Sequence, residues 1–87
     1  AVRGLAVEWA PHVLVNAVVP GAVLAPESMA AAQWAAVQSR VPMGPEVLRN
    51  PQLPVQAVVD AVLWLAQAPR FVTGQLIPID GGRTARW

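Results

Sequence analysis

Apolar residues recur along the chain with two different spacings, which predict alternating helices and strands. In residues 1–10 they fall on one helical face, at i, i+3, i+4 and i+7: Val2, Leu5, Ala6 and Trp9. Pro11 ends this helix, and no Ser, Thr, Asp or Asn precedes it as an N-cap. The first helix is therefore expected to begin inside a longer element.

Two apolar runs predict strands. The nearly continuous run Val13–Val19 lies between turn signals and is typical of a strand covered on both faces of a parallel sheet. A shorter strand is predicted over 75–79, between Thr73-Gly74 and an Asp80-Gly81-Gly82 turn in which glycine at positive φ is expected. Asn16, inside the first run, is expected to make a structural hydrogen bond to neighbouring backbone.

Further helices are predicted between the two strands. Ser28 is a candidate N-cap for a helix that continues to Arg40, and Pro54 suits the first turn of a helix that ends near Gln67. The second of these helices has one apolar stripe, formed by Val55, Val58, Val59, Val62, Leu63 and Ala66. Residues 41–53 are rich in proline and are predicted to be a loop.

The predicted order is helix, strand, helix, helix, strand. A strand, a helical crossover and a second strand form a parallel pair of the α/β class. Two parallel strands do not make a stable sheet by themselves, because such sheets need further strands and helices on both faces. Residues 1–87 are therefore expected to form one incomplete segment of a single domain.

The composition excludes several classes of protein. Of the 87 residues, 55% are hydrophobic and only 13% are charged, unlike a disordered chain. The absence of cysteine excludes disulfide scaffolds and thiolate metal sites, and the single His12 has no companions to complete a metal site. Six scattered arginines lack the clustering of a nucleic-acid binder. The longest uncharged stretch, Trp9–Pro26, contains Pro11 and Pro20 and is no membrane-spanning helix.

Four short motifs follow one another along the chain: EWAPHVLVNAVVPG at Glu8–Gly21, DAVLWLA at Asp60–Ala66, FVTGQ at Phe71–Gln75 and DGG at Asp80–Gly82. In type, order and spacing they resemble the C-terminal part of short-chain dehydrogenases/reductases, and the resemblance extends over nearly the whole chain, from the first motif to the last. The resemblance implies the last two strands of a doubly wound Rossmann-type parallel sheet, which is incomplete alone.

The resemblance also implies a cofactor, NADP or NAD, and hydride transfer to a carbonyl or imine. Pro20 and Gly21 end a strand at the sheet edge where open α/β sheets bind ligands. By resemblance, the backbone of Ala22 and Val23 meets the nicotinamide carboxamide, whereas a plain tight turn is the alternative. The threonine that often follows this glycine by four residues in the family is replaced by Ala25, which offers no hydroxyl.

The catalytic groups of the family have no counterpart in this chain. The chain contains no Tyr and no Lys, so a Tyr-x-x-x-Lys motif cannot be assigned, nor can the catalytic Ser or the Gly-rich phosphate turn. No catalytic residue and no metal ligand is therefore assigned. An N-terminal portion of the same enzyme is the expected partner that supplies these groups.

Within the family, PGAVLAPE at Pro20–Glu27, followed by Met29, Trp34 and Val41-Pro42-Met43, most resembles the pteridine reductases. Some acyl-carrier-protein, sugar and steroid reductases differ from this pattern by only a few residues. The residues expected to cover the small-molecule substrate are Leu24, Met29 and Trp34, with ordinary core packing as the alternative. The resemblance further implies a cytoplasmic homo-oligomer, a tetramer or dimer, with the tail Arg83–Trp87 at a subunit interface. The competing interpretation is a non-catalytic α/β interaction fragment without a cofactor.

Overall fold

The structure, a computed structural model, describes residues 1–85. Within that range the chain forms four α-helices, two strands and a short 3₁₀ helix. Their bounds are α1 Val2–Trp9, β1 Ala17–Pro20, α2 Ala31–Gln38, α3 Gly44–Arg49, α4 Leu53–Ala66, β2 Leu76–Ile79 and the 3₁₀ helix Arg83–Ala85. The predicted interface residues Arg86 and Trp87 lie outside the described residues.

The two strands form a parallel sheet, which confirms the predicted pairing. Ala17 lies opposite Leu76 and Pro20 lies opposite Ile79, so both carboxyl ends meet at the same edge. Helix α4 packs against both strands. The α/β class and the predicted parallel crossover are therefore correct.

The first strand is shorter than the apolar run Val13–Val19 predicted, because side chains replace the regular ladder at its start. The Val15 N–H donates to Thr73 Oγ1 (3.0 Å), and the Gly74 N–H donates to the Val15 carbonyl (2.7 Å). Asn16 donates to the Val72 carbonyl (3.1 Å) and accepts from the Gln75 N–H (3.0 Å). The structural hydrogen bonding expected of Asn16 is confirmed.

Two predictions for the segment between the strands are wrong, one for the bounds of a helix and one for a loop. The helix predicted from Ser28 to Arg40 occupies only Ala31–Gln38, because the Gln33 side chain, rather than Ser28, satisfies the N-terminal backbone by accepting from the Ala30 N–H (3.0 Å). The segment 41–53, predicted as a loop, contains α3.

Helix α3 forms in the proline-rich segment because its proline lies where a helix tolerates one. Pro45 is in the first turn, where the missing N–H costs no intrahelical bond. Glu46 and Arg49 form an ion pair one turn apart. Proline content alone was therefore a misleading loop signal here.

The apolar stripe predicted on α4 is covered only in part. No residue of α4 is buried, and Val59, Val62 and Leu63 are 45%, 48% and 57% exposed. The half-buried positions of α4 are Leu53, Pro54, Val55, Ala57, Val58, Ala61 and Leu65. The two short strands reach only one side of this helix, so much of the predicted stripe has no partner within residues 1–85.

The described chain has a small core and an unusually large surface. Its buried apolar residues are Ala6, Val41 and Val47. The accessible surface is 6449 Å², whereas a compact monomer of this mass exposes roughly 4,900 Å². The radius of gyration is 15.5 Å, compared with about 12 Å for a compact domain of this length. The prediction that the chain is only part of a packed domain fits these dimensions.

Candidate functional site

The candidate site lies at the sheet edge where both strands end. The Gly21 N–H donates to the Ile79 carbonyl (3.0 Å), which extends the pairing one residue beyond β1. A Cβ on Gly21 would lie 2.9 Å from the Cβ of Asp80, so a larger residue would push the two chain segments apart. Glycine here permits the close approach of the segments that follow β1 and β2.

The backbone directly after Gly21 presents free hydrogen-bond donors. Ala22 and Val23 are half-buried, and their N–H groups donate to no acceptor within residues 1–85. The Ala22 carbonyl, in contrast, accepts a hydrogen bond from Gln38 Nε2 (3.2 Å). The structure thus fixes this segment by its carbonyl and leaves two adjacent amides available for a ligand carbonyl oxygen.

Gln38 is the residue that fixes this segment, and the sequence analysis missed it. It is the last residue of α2 and is 1% exposed. Its backbone carbonyl accepts from the Val41 N–H (3.0 Å), and a Cβ on Gly44 would overlap that carbonyl oxygen. A glutamine next to Ser39 and Arg40 gives no sign of burial in the sequence, because only the turn into α3 encloses it.

An apolar cavity of about 290 Å³ lies beside this segment. Its wall comes from the ends of both strands, the start of α4 and the turn into α3: Ala22, Gln38, Val41, Met43, Val47, Leu53, Pro54, Ala57, Pro78, Ile79, Asp80, Gly81 and Gly82. The cavity therefore lies at the carboxyl ends of parallel strands, where open α/β sheets bind ligands.

The turn after β2 has the geometry that its two glycines predicted. Gly81 and Gly82 have φ values of 64° and 94°, in the left-handed region that favours glycine. Asp80 Oδ1 accepts from the Gly82 N–H (3.0 Å), and Oδ2 accepts from both the N–H (3.1 Å) and the hydroxyl (2.5 Å) of Thr84. The Thr84 hydroxyl, with these backbone donors, lowers the pKa of the Asp80 carboxyl below its ordinary value against a smaller opposing effect of burial.

The residues predicted to cover a substrate do not converge on this cavity. Leu24 is 70% exposed, and Met29 and Trp34 are half-buried. None of the three lines the 290 Å³ cavity, to which Met43 and Val41 contribute instead. The four residues predicted to bind the cofactor, Pro20, Gly21, Ala22 and Val23, are consecutive at the sheet edge, and Ala22 lines the cavity.

Residues 1–85 contain no group of three or more His, Cys, Asp or Glu side chains placed to hold a metal ion. No helix in the same range combines the length and the apolar character needed to cross a membrane.

The chain is similar in sequence to known proteins along nearly its whole length. Residues 1–84 match the family described as enoyl-(acyl carrier protein) reductase. A glucose 1-dehydrogenase from Gluconobacter oxydans (strain 621H) is 37% identical over 89 residues, which cover 95% of this chain and 31% of that protein. The chain thus spans about a third of the length of the curated relative it matches. Both matches include the strand end and the Pro20–Val23 segment.

Proposed function

The chain belongs to the short-chain dehydrogenase/reductase family, within the group described as enoyl-(acyl carrier protein) reductase, and we propose that it supplies the C-terminal part of an NAD(P)-dependent oxidoreductase. The reaction is reversible hydride transfer between the nicotinamide cofactor and a carbonyl or imine. The single observation that carries the proposal is the pair of backbone amides at Ala22 and Val23, which follow the carboxyl end of β1 and have no acceptor within residues 1–85.

These amides suit the group they are proposed to hold. The carboxamide of a nicotinamide ring carries a carbonyl oxygen, which accepts hydrogen bonds from backbone N–H groups. Ala22 and Val23 offer such donors, and the Gln38 bond to the Ala22 carbonyl fixes the peptide plane that carries the Val23 N–H. Bound NAD(P)H supplies the hydride, while this chain orients the ring and excludes water through the apolar wall beside it.

We further propose that another part of the same enzyme provides the acid, the base and the phosphate turn. The chain has no Tyr and no Lys of its own. Large apolar side chains on α4 and in the loop before β2 are also uncovered, with Trp64 54% and Phe71 101% exposed. A partner segment packing on these surfaces would remove them from water and complete the sheet, as parallel sheets require. A homo-oligomer, dimer or tetramer, in the cytoplasm remains part of the proposal.

Two substrate classes follow from different observations. The likeness of Pro20–Glu27 and Val41-Pro42-Met43 to pteridine reductases favours a flat, ring-shaped substrate such as a pteridine, beneath Leu24, Met29 and Trp34. The 37% identity to a glucose 1-dehydrogenase favours a sugar hydroxyl, oxidised in the reverse direction. A panel containing a dihydropteridine with NADPH and glucose with NADP⁺ or NAD⁺ distinguishes the two by the change in nicotinamide absorbance.

The test of cofactor binding uses the protein as isolated, together with any polypeptide that accompanies it in equal amount by intact-mass spectrometry. A cofactor present at about 100 times its dissociation constant stabilises the folded protein by roughly 2.7 kcal/mol, so the melting temperature should rise with NADPH or NADH. An unchanged melting temperature with both would contradict the proposal and favour a non-catalytic interaction fragment.

A matched pair of variants at one position tests the amide contact. Val23→Pro removes the N–H that is proposed to bind the carboxamide, whereas Val23→Ala shortens the same side chain and keeps the N–H. We expect the proline variant to lose most of the stabilisation by NADPH and the alanine variant to retain it. Circular dichroism of both variants without cofactor checks that each is folded. Equal stabilisation of the two would exclude Val23 as a cofactor contact.

A further inference from the structure

A smaller cleft shares Ala22 and Val41 with the 290 Å³ cavity. Its volume is about 110 Å³, and it is lined by Ala22, Val37, Arg40, Val41 and Arg83. Since a water molecule takes up about 30 Å³ in the liquid, the cleft has room for a group the size of roughly three or four waters. A single oxyanion, such as a phosphate or carboxylate group, is of that size.

Two arginines from distant parts of the chain converge on this cleft. Arg40 follows α2 and Arg83 begins the 3₁₀ helix after β2, so only the tertiary fold brings them to one cleft. Within residues 1–85 neither guanidinium forms a salt bridge or a side-chain hydrogen bond, whereas Arg49 pairs with Glu46 and Arg70 donates to the Pro11 carbonyl. The cleft therefore brings together two positive charges that the described chain does not neutralise.

The acid nearest to Arg83 in sequence is committed elsewhere. Asp80 Oδ1 accepts from the Gly82 N–H, and Oδ2 accepts from the Thr84 N–H and hydroxyl. The carboxylate thus stabilises its own turn and does not pair with Arg83. Arg40 and Arg83 are exposed residues that both line this partly apolar cleft, so an anion bound there would be attracted by two positive charges.

We propose that Arg40 and Arg83 form an oxyanion-binding site beside the Pro20–Val23 segment, which takes a phosphate or carboxylate group of the substrate or a phosphate of the cofactor. Guanidinium groups bind such oxyanions through two parallel N–H donors, and the apolar floor of Val37 and Val41 strengthens that attraction. Anion binding itself is independent of the oxidoreductase proposal; the assignment of the anion to substrate or cofactor rests on it.

Arginine labelling with phenylglyoxal tests the site in the protein as isolated, using inorganic phosphate as the probe. Phosphate at about ten times its dissociation constant leaves roughly a tenth of the sites free. Labelling of Arg40 and Arg83, followed by peptide mass spectrometry, should then slow about tenfold. Arg3, Arg49 and Arg70 in the same sample serve as internal controls and should keep their rates, as should all five in chloride at equal ionic strength.

Two variants separate the site from a general effect of charge. Arg40→Gln should weaken the protection of Arg83 by phosphate about two- to fivefold, equivalent to the loss of one charged contact at an exposed site. Arg3→Gln removes the same charge from the exposed face of α1 and should leave the protection of Arg83 unchanged. Protection of all arginines alike, or of none, would overturn the proposal, as would an equal effect of the two variants.

The source of the anion is settled by repeating the labelling with NADP⁺. If NADP⁺, without added phosphate, protects Arg40 and Arg83, the site is assigned to a cofactor phosphate. If both stay reactive with NADP⁺ and phosphate still protects them, the site belongs to the substrate. Protection by phosphate in a protein that NADPH and NADH do not stabilise would support the anion site while rejecting the oxidoreductase proposal, so the two can fail separately.

Discussion

The side-chain amide of Gln38 donates a hydrogen bond of 3.2 Å to the backbone carbonyl oxygen of Ala22. This bond joins the end of α2 to the segment that follows β1, and Gln38 is 1% exposed. Because the Ala22 carbonyl and the Val23 N–H share one peptide plane, this bond links the packing of the α2 end to the geometry of the proposed cofactor contact.

Replacing Gln38 by Leu should destabilise the protein, because the Ala22 carbonyl loses its donor in a partly buried place. We expect a loss of about 1–3 kcal/mol in the free energy of unfolding, measured by urea denaturation. Gln56→Leu is the matched control: Gln56 is exposed on α4 and bonds only to Asp60, so its effect should stay within about 0.5 kcal/mol. Similar losses in the two variants would mean that the Gln38 bond does not hold the segment.

Asn16→Ala should destabilise the start of the sheet, because Asn16 bridges Val72 and Gln75 by two hydrogen bonds across the strands. The expected loss is about 1–3 kcal/mol, since the substitution leaves a backbone carbonyl and an N–H without partners. Hydrogen exchange of the Gln75 amide should also accelerate. Asn50→Ala, at an exposed position after α3, provides the control and should change stability by less than about 0.5 kcal/mol.

Replacing glycine by alanine should change the stability of the protein in opposite directions at two positions. Gly81→Ala places a Cβ at a φ of 64° and only 2.8 Å from Val41 Cγ1, so we expect a destabilisation of about 1–2 kcal/mol or more. Gly4→Ala lies inside α1 with no atom within 4 Å of the new Cβ, and it should stabilise the protein by up to about 1 kcal/mol. Thermal unfolding of both variants distinguishes these signs, and a stabilising Gly81→Ala would contradict the turn geometry.

The Asp80 turn should make stability depend on acid pH. The pKa of the folded-state Asp80 carboxyl is lowered, chiefly by the Thr84 hydroxyl, relative to an unfolded value of about 3.9. Its contribution is therefore fully present above the unfolded pKa and is lost as the pH falls through the folded pKa. Thr84→Val should reduce this loss of stability on acidification, whereas Thr84→Ser keeps the hydroxyl and should preserve it. Identical urea midpoints for the two variants across that pH range would exclude the contribution.

Several features were readable from the sequence because they depend on neighbours within a few residues. The stop of α1 before Pro11, the long helix after Gln52 and the positive φ of Gly81 and Gly82 all follow from local backbone chemistry. The parallel pairing was also predictable, because a helical crossover between two short strands brings them side by side in the same direction.

Other features were decided by contacts between distant residues. The start of β1 at Ala17, four residues later than its apolar run predicted, depends on side chains and backbone near Thr73 that no local pattern reveals. The segment 41–53, predicted as a loop, contains α3 because the turn after Gln38 brings Gly44, the first residue of α3, against the backbone carbonyl of Gln38.

The residues of the candidate site also fall into these two groups, those predictable from local sequence and those decided by distant contacts. Pro20 and Gly21 could be named from the sequence because they lie at the end of a recognisable strand, and Ala22 and Val23 because of the resemblance to short-chain dehydrogenases/reductases. Gln38, Arg40 and Arg83 could not, since a polar residue at a helix end or after a turn has the same local pattern whether solvent or the fold surrounds it. The sequence by itself determined the elements and their order; the tertiary structure decided which polar groups face one another, because burial and convergence are set by packing between distant segments.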